Sequence, residues 1–95
     1  MTDDALQSLA RRGLAGETAA YRAFLSGCAA LVRGYLRRRL SSAADVEDLV
    51  QETLLAIHTR RESYDPELPV TSWVHAIAKY RLIDHWRRAG RRGVT

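Results

Sequence analysis

Three histidines, one cysteine and eleven carboxylates are the groups in this 95-residue chain that could do acid–base, nucleophilic or metal chemistry. Their spacing gives none of them a working partner. His58, His75 and His85 share no metal-ligand spacing, no H-E-x-x-H occurs, and Cys28 stands alone. Neither a zinc site nor an internal disulfide is expected. Asp84 and His85 are adjacent, but neighbours on a helix point about 100° apart and do not face each other. Asp84 is expected to bond a nearby arginine, and Cys28, in an apolar stretch, reads as a small core residue. No glycine-rich phosphate loop is present. The expectation is a protein that is not an enzyme and holds no metal or cofactor. The chemistry left to it is non-covalent recognition.

Two patterns could carry recognition. Between Asp45 and Arg61, Val46, Leu49, Val50, Thr53, Leu54 and Ile57 make an apolar stripe at helical spacing. Asp48, Gln51, Glu52 and Leu55 make a second stripe at i, i+3, i+4, i+7. An acidic and amide-bearing face tipped by an exposed leucine suits a basic partner, although spacing alone is equally that of an ordinary solvated face. The other pattern runs from Pro69 to Arg92. Trp73, Val74, Ile77, Ala78, Leu82, Ile83 and Trp86 form its apolar series. Lys79, Arg81, Arg87, Arg88, Arg91 and Arg92 are interleaved with it against a single acid, Asp84. An aromatic and cationic helix suits nucleic acid; a solvated basic face is the plainer alternative.

These stripes require helices to carry them. Asp3 to Arg12 reads as a short helix capped by Thr2 or Asp3. Gly13 and Gly16 then loosen the chain, and little functional content is expected there. Glu17 to Arg39 reads as a long helix with Tyr21, Phe24, Leu25, Cys28, Leu31, Val32, Tyr35 and Leu36 on one face. Arg37, Arg38 and Arg39 fall at its negative end, where cations are favoured. Ser42 caps a third helix, about Ala43 to Arg61, with Asp45 three residues on. Glu62 to Val70 is a loop, with Asp65-Pro66 turning the chain. Pro69 fits the first turn of the last helix, and Gly90 and Gly93 are expected to end it. The fold class is therefore all-α: a compact bundle of three main helices plus a short N-terminal one. Leu25, Leu49, Ile57, Trp73 and Ile77 are expected in its core.

Charge separates along the chain. The net charge is +4, but residues 41–67 carry seven acids against two arginines, while the segments on either side are each strongly basic. Two surfaces for two partners follow. No apolar run approaches the roughly 20 residues of a membrane span. The start Met1-Thr2-Asp3-Asp4 lacks a signal peptide's basic start and apolar run. A cytoplasmic protein without membrane insertion is expected.

Taken together, D-V-E-D-L-V-Q-E-T-L-L-A-I-H (Asp45 to His58), Y-D-P (Tyr64 to Pro66) and T-S-W-V-H-A-I-A-K-Y-R-L-I-D-H-W-R-R (Thr71 to Arg88) closely resemble region 2 of bacterial sigma factors, especially the extracytoplasmic-function (ECF) type. The resemblance covers the chain from about Glu17. It implies a transcription initiation domain that docks on core RNA polymerase and helps open the promoter −10 element by capturing the non-template strand. By resemblance, Asp48, Gln51, Glu52 and Leu55 bind the clamp helices of the β′ subunit. The loop containing Tyr64, Asp65, Pro66 and Val70 receives an extruded base. Ser72, Trp73, His75, Lys79, Tyr80, Arg87 and Arg88 meet the strand and its phosphates. Val70 stands where many relatives carry Phe, and Tyr80 where they carry Asn; both positions fall where bases would be read. Residues 1–16 are expected to form the short N-terminal helix and linker, 17–90 the region 2 domain, and 91–95 the start of a linker to an absent region 4. An anti-sigma protein is a further partner of such factors. A helical interaction module that docks a basic partner without DNA activity is the alternative from another class.

Overall fold

The computed structural model describes the backbone of residues 1–93 and the side chains of residues 1–90. Four helices follow one another: α1 (Asp3–Leu14), α2 (Thr18–Arg37), α3 (Ala43–Thr59) and α4 (Val70–Gly93). A short 3-10 turn, Arg61–Ser63, lies after α3, and no strand occurs among the described residues. The all-α bundle is therefore as expected.

Local chemistry sets the helix starts. Thr2 Oγ1 accepts from the Ala5 N–H at 3.1 Å, and Ser42 Oγ from the Asp45 N–H at 3.2 Å. Each satisfies a donor that the first helical turn leaves free. The Asp45 carboxylate does not complete a capping box; it lies 3.7 Å from His85 Nε2 on α4. At the end of α2, Arg39 donates to the Tyr35 carbonyl at 2.9 Å, and its guanidinium stands 3.8 Å from the centre of the Tyr35 ring. That is the carbonyl-capping role expected of the arginine run.

Two glycines set the α1–α2 corner. Gly16 has φ +112°, a conformation that side chains rarely adopt. At Gly13 a Cβ would come within 2.7 Å of Tyr21 Cα, so its absence lets the two helices touch. One core results, and α1 belongs to it: Leu6 and Ala10 are buried together with Phe24, Leu36, Leu49, Ile57 and Leu82. α1 therefore packs into the same core as the three longer helices.

Several expected core positions differ. Leu25 and Trp73 are only partly buried and pack on the core's edge. Trp86 is 48% exposed. The helical period continues to Trp86, but full burial stops at Leu82. α3 ends at Thr59, two residues earlier than the expected Arg61. The backbone of α4 runs through Gly90 to Gly93, so Gly90 does not terminate it. The side chains of residues 91–95, Arg91 and Arg92 among them, and the backbone of residues 94 and 95, lie outside the described residues.

Candidate functional site

The acidic stripe is built by α3. Burying Val46, Leu49, Val50, Thr53 and Ile57 turns the opposite side of the helix outward. Asp48 and Gln51 are exposed, Glu52 is half-buried, and Leu55 is 68% exposed. The four side chains therefore share one outward face, as their spacing requires. Glu52 is not unpartnered: its Oε2 lies 3.6 Å from Arg88 Nη2, and Arg88 Nε lies 3.4 Å from Asp84 Oδ2. Asp84 thus meets an arginine, as expected from the sequence. At these exposures such pairs contribute about 0–1 kcal/mol each, so they orient side chains more than they hold the fold.

The cationic surface is built by α4, whose buried side is Val70, Val74, Ile77, Ala78 and Leu82. The outward side presents Ser72, Ala76, Lys79 and Arg87. Aromatic groups flank it on both sides. Toward α2, the His75 ring lies 5.6 Å from the Tyr35 ring, centre to centre. Toward α3, Trp73 packs on Tyr64 at 5.3 Å, and the Arg60 guanidinium lies 5.9 Å from the centre of the Tyr80 ring. Tyr80 itself is 57% exposed. An open groove of about 1050 Å³ separates α2 from α4, lined by Leu31, Tyr35, Arg38, Arg39, Ser72, His75, Lys79, Ile83 and Trp86. Apolar walls with a cationic rim can seat flat apolar groups that carry phosphates.

The structure does not bring all of the sequence-predicted strand-facing residues together. Arg88 lies roughly 160° around the helix from Ser72, and it pairs with Glu52 instead. Tyr64 is 5% exposed and Val70 is fully buried. Tyr64 sits in the core because its ring finds Trp73 and its hydroxyl donates to the Leu68 carbonyl at 2.7 Å. Val70 is the first buried position of α4. In this fold Tyr64 and Val70 are buried and anchor the loop's two ends. Asp65 and Pro66 are exposed at its tip, where Asp65 Oδ1 accepts from the Glu67 N–H at 2.9 Å.

Sequence reasoning missed three contributors. It places Tyr35 only on the apolar face of α2 and Arg38 only at a helix end, yet both line the groove. Tyr35's intermediate place on the α2 face was the available signal. Gln7 of α1 reaches the loop with both ends of its amide; a single glutamine in a short helix carries no pattern that would reveal this. The histidines remain dispersed: His58 Nδ1 bonds Tyr21 Oη at 2.6 Å, His75 stacks near Tyr35 and His85 faces Asp45. Among the described residues no group of three or more possible ligands could hold a metal. Cys28 is fully buried, and burial pushes its thiol up to about 12, which makes it inert at neutral pH. No helix among the described residues is long and apolar enough to cross a membrane.

Comparisons with known proteins agree with this geometry. Residues 25–92 match the family description Sigma-70 region 2. The chain is 53% identical over 88 residues to ECF RNA polymerase sigma factor SigF of Caulobacter vibrioides, covering 92% of this chain and 49% of that one. It is 37% identical over 82 residues to ECF RNA polymerase sigma factor SigL of Mycobacterium tuberculosis, covering 85% of this chain and 46% of that one. The chain thus spans about half the length of the curated relatives it matches. Among solved structures, an engineered region 2 of sigmaE, determined by NMR in complex with GTAAAA, superposes with a TM-score of 0.68 at 26% identity, covering 97% of this chain and 93% of that one.

Proposed function

Because the chain belongs to the sigma-70 region 2 family, we propose that it is an ECF-type transcription initiation domain that docks on core RNA polymerase and captures the non-template strand of the promoter −10 element. The polymerase face is Asp48, Gln51, Glu52 and Leu55: acid and amide groups meet the basic β′ clamp helices, and Leu55 supplies an apolar anchor. The strand face is the outer side of α4, with Ser72, Trp73, His75, Lys79, Tyr80 and Arg87, joined by Tyr35 and Arg38 across the groove. Asp65 and Pro66 present the loop tip to an extruded base. Arg88 reaches phosphate only by leaving Glu52.

The observation that carries this reading is the separation of the two faces on one hydrophobic core. The groove is lined by α2, the two residues that follow it and α4, and the acidic stripe lies on α3. Both partners can therefore be held at once. The domain performs no covalent step. Extruding a base costs a few kcal/mol of stacking, and aromatic and loop contacts to the separated strand offset that cost. The duplex hides the groups these contacts need, so holding the strand favours opening. The activity belongs in the cytoplasm with the polymerase, and an anti-sigma protein would act by covering one of the two faces. The test is capture of core RNA polymerase by the tagged chain. Wild type is expected to retain it, and Glu52→Arg or Gln51→Arg to lose at least about tenfold in affinity, or 1.4 kcal/mol. Unchanged affinity in both variants would leave the stripe a solvated face.

A further inference from the structure

We propose that Gln7 is a positioning residue for the loop between Tyr64 and Val70, so that α1 helps determine which base the loop accepts; this rests on the base-capture reading above. Gln7 is half-buried on α1, 57 to 63 residues away in sequence from the groups it bonds. Its Oε1 accepts from the Val70 N–H at 2.8 Å, one of the donors that the start of α4 leaves free. Its Nε2 donates to the Tyr64 hydroxyl and, at 3.3 Å, to the Leu68 carbonyl. Tyr64 in turn donates to the same Leu68 carbonyl at 2.7 Å. Val70 N–H can only donate and Leu68 C=O can only accept, so the amide's orientation is fixed by its partners.

One side chain thus ties the first residue of the loop, its penultimate turn and the first residue of the reading helix. Arg11, one turn further along α1, adds a bond from Nη2 to the Pro66 carbonyl at 3.4 Å. Within the loop itself the remaining ties are local: Leu68 N–H to the Asp65 carbonyl at 3.0 Å and Glu67 N–H to Asp65 Oδ1 at 2.9 Å. Those bonds shape the turn but do not fix it against α4. The Tyr64 ring packs on Trp73 at the loop's start, and Gln7 adds the hydrogen bonds that tie Leu68 and Val70 together. The exposed residues Asp65 to Leu68 are left at the surface as the accessible part of the loop. A loop that must select among bases discriminates best when it is already held in its receiving shape, because ordering it during binding costs affinity for the correct base.

The test uses the 95-residue chain, its Gln7→Ala and Gln7→Met variants, and Asp65→Ala to mark the positions that the loop reads. The probes are single-stranded GTAAAA and its single-base variants, measured by fluorescence anisotropy at a temperature where circular dichroism shows every variant folded. Wild type is expected to discriminate at one or more positions. Both Gln7 variants are expected to lose at least about threefold of that discrimination, only at positions that Asp65→Ala also affects, with the salt slope kept. Hydrogen exchange at the Val70 amide should accelerate in parallel. A merely structural role would lower affinity for every probe by one common factor and leave the profile intact; that result overturns the proposal. A discriminating wild type with unchanged Gln7 variants overturns the Gln7 role alone. A wild type that does not discriminate at any position overturns base capture, and the Gln7 role with it.

Discussion

Leu55→Ala separates binding from folding. Leu55 is 68% exposed on α3, whereas Leu49, six residues earlier on the same helix, is 2% exposed. Fully burying a leucine side chain is worth about 1.5–3 kcal/mol. Covering the two thirds of Leu55 that faces water is then worth about 1–2 kcal/mol, since the buried third already gives its share. Truncation to alanine should weaken binding to core polymerase about fivefold to thirtyfold. It should cost folding only about 0.5–1 kcal/mol, the share of the buried third, partly offset because alanine is a good helix former. For a domain of this size that limits the change in Tm to about 8 °C. Leu49→Ala is the control and should cost about 2–5 kcal/mol of stability through the cavity it leaves. The assay pairs thermal melts with competition for core polymerase against a fluorescent wild-type chain. Polymerase affinity within twofold of wild type would refute Leu55 as an anchor. A fall in Tm comparable with that of Leu49→Ala would refute the outward placement of the stripe.

Other outcomes follow from single contacts. Ile77 is 6% exposed, so Ile77→Ala should lower stability by about 2–5 kcal/mol in urea unfolding; a loss below 1 kcal/mol would mean that α4 is not docked as described. Cys28 is held protonated by burial, to about 12 against an ordinary 9.0. Its folded pKa is raised, so the stability it lends is full below about pH 9 and declines as pH rises toward 12. Thiol labelling at pH 8 should therefore follow unfolding, and fast labelling of the folded chain would contradict the burial. Arg87→Ala should lower affinity for single strands of any sequence and reduce the salt slope by up to about one unit. Arg88→Ala should reduce it less, because Arg88 is paired with Glu52 and Asp84; equal slopes for the two variants would show that those pairs do not compete with phosphate.

Most of the scaffold could be read from the chain because helical periods are repeated signals. The α3 stripes rest on several residues in register, and burial on one side fixes exposure on the other. Leu25 and Trp73 were expected in the core but sit at its edge, because a helical period gives the direction of the apolar face and not how deeply each position on it is covered. The burial of Tyr64 is likewise not legible in the chain, because only the fold supplies the Trp73 ring and the Gln7 and Leu68 partners that keep it inside. Arg88 looked like one of a run of phosphate contacts, yet helix phase turns it from Ser72 and toward Glu52. Gln7 was illegible: its role depends on partners some sixty residues away and on no local pattern.

The central claim is strand capture by a polymerase-docked domain, and one measurement addresses it directly. The chain is complexed with core RNA polymerase, and fluorescence anisotropy compares single-stranded −10 non-template DNA, the matching duplex and a scrambled single strand at several salt concentrations. Arginine contacts to phosphate act on all three and weaken with salt. Contacts from Trp73, His75, Tyr80 and the loop tip need unstacked bases and act only on the single strands. The account predicts tightest binding to the matched single strand, with that preference surviving at high salt. Equal affinity for strand and duplex at every salt concentration would contradict it and leave α4 an electrostatic anchor.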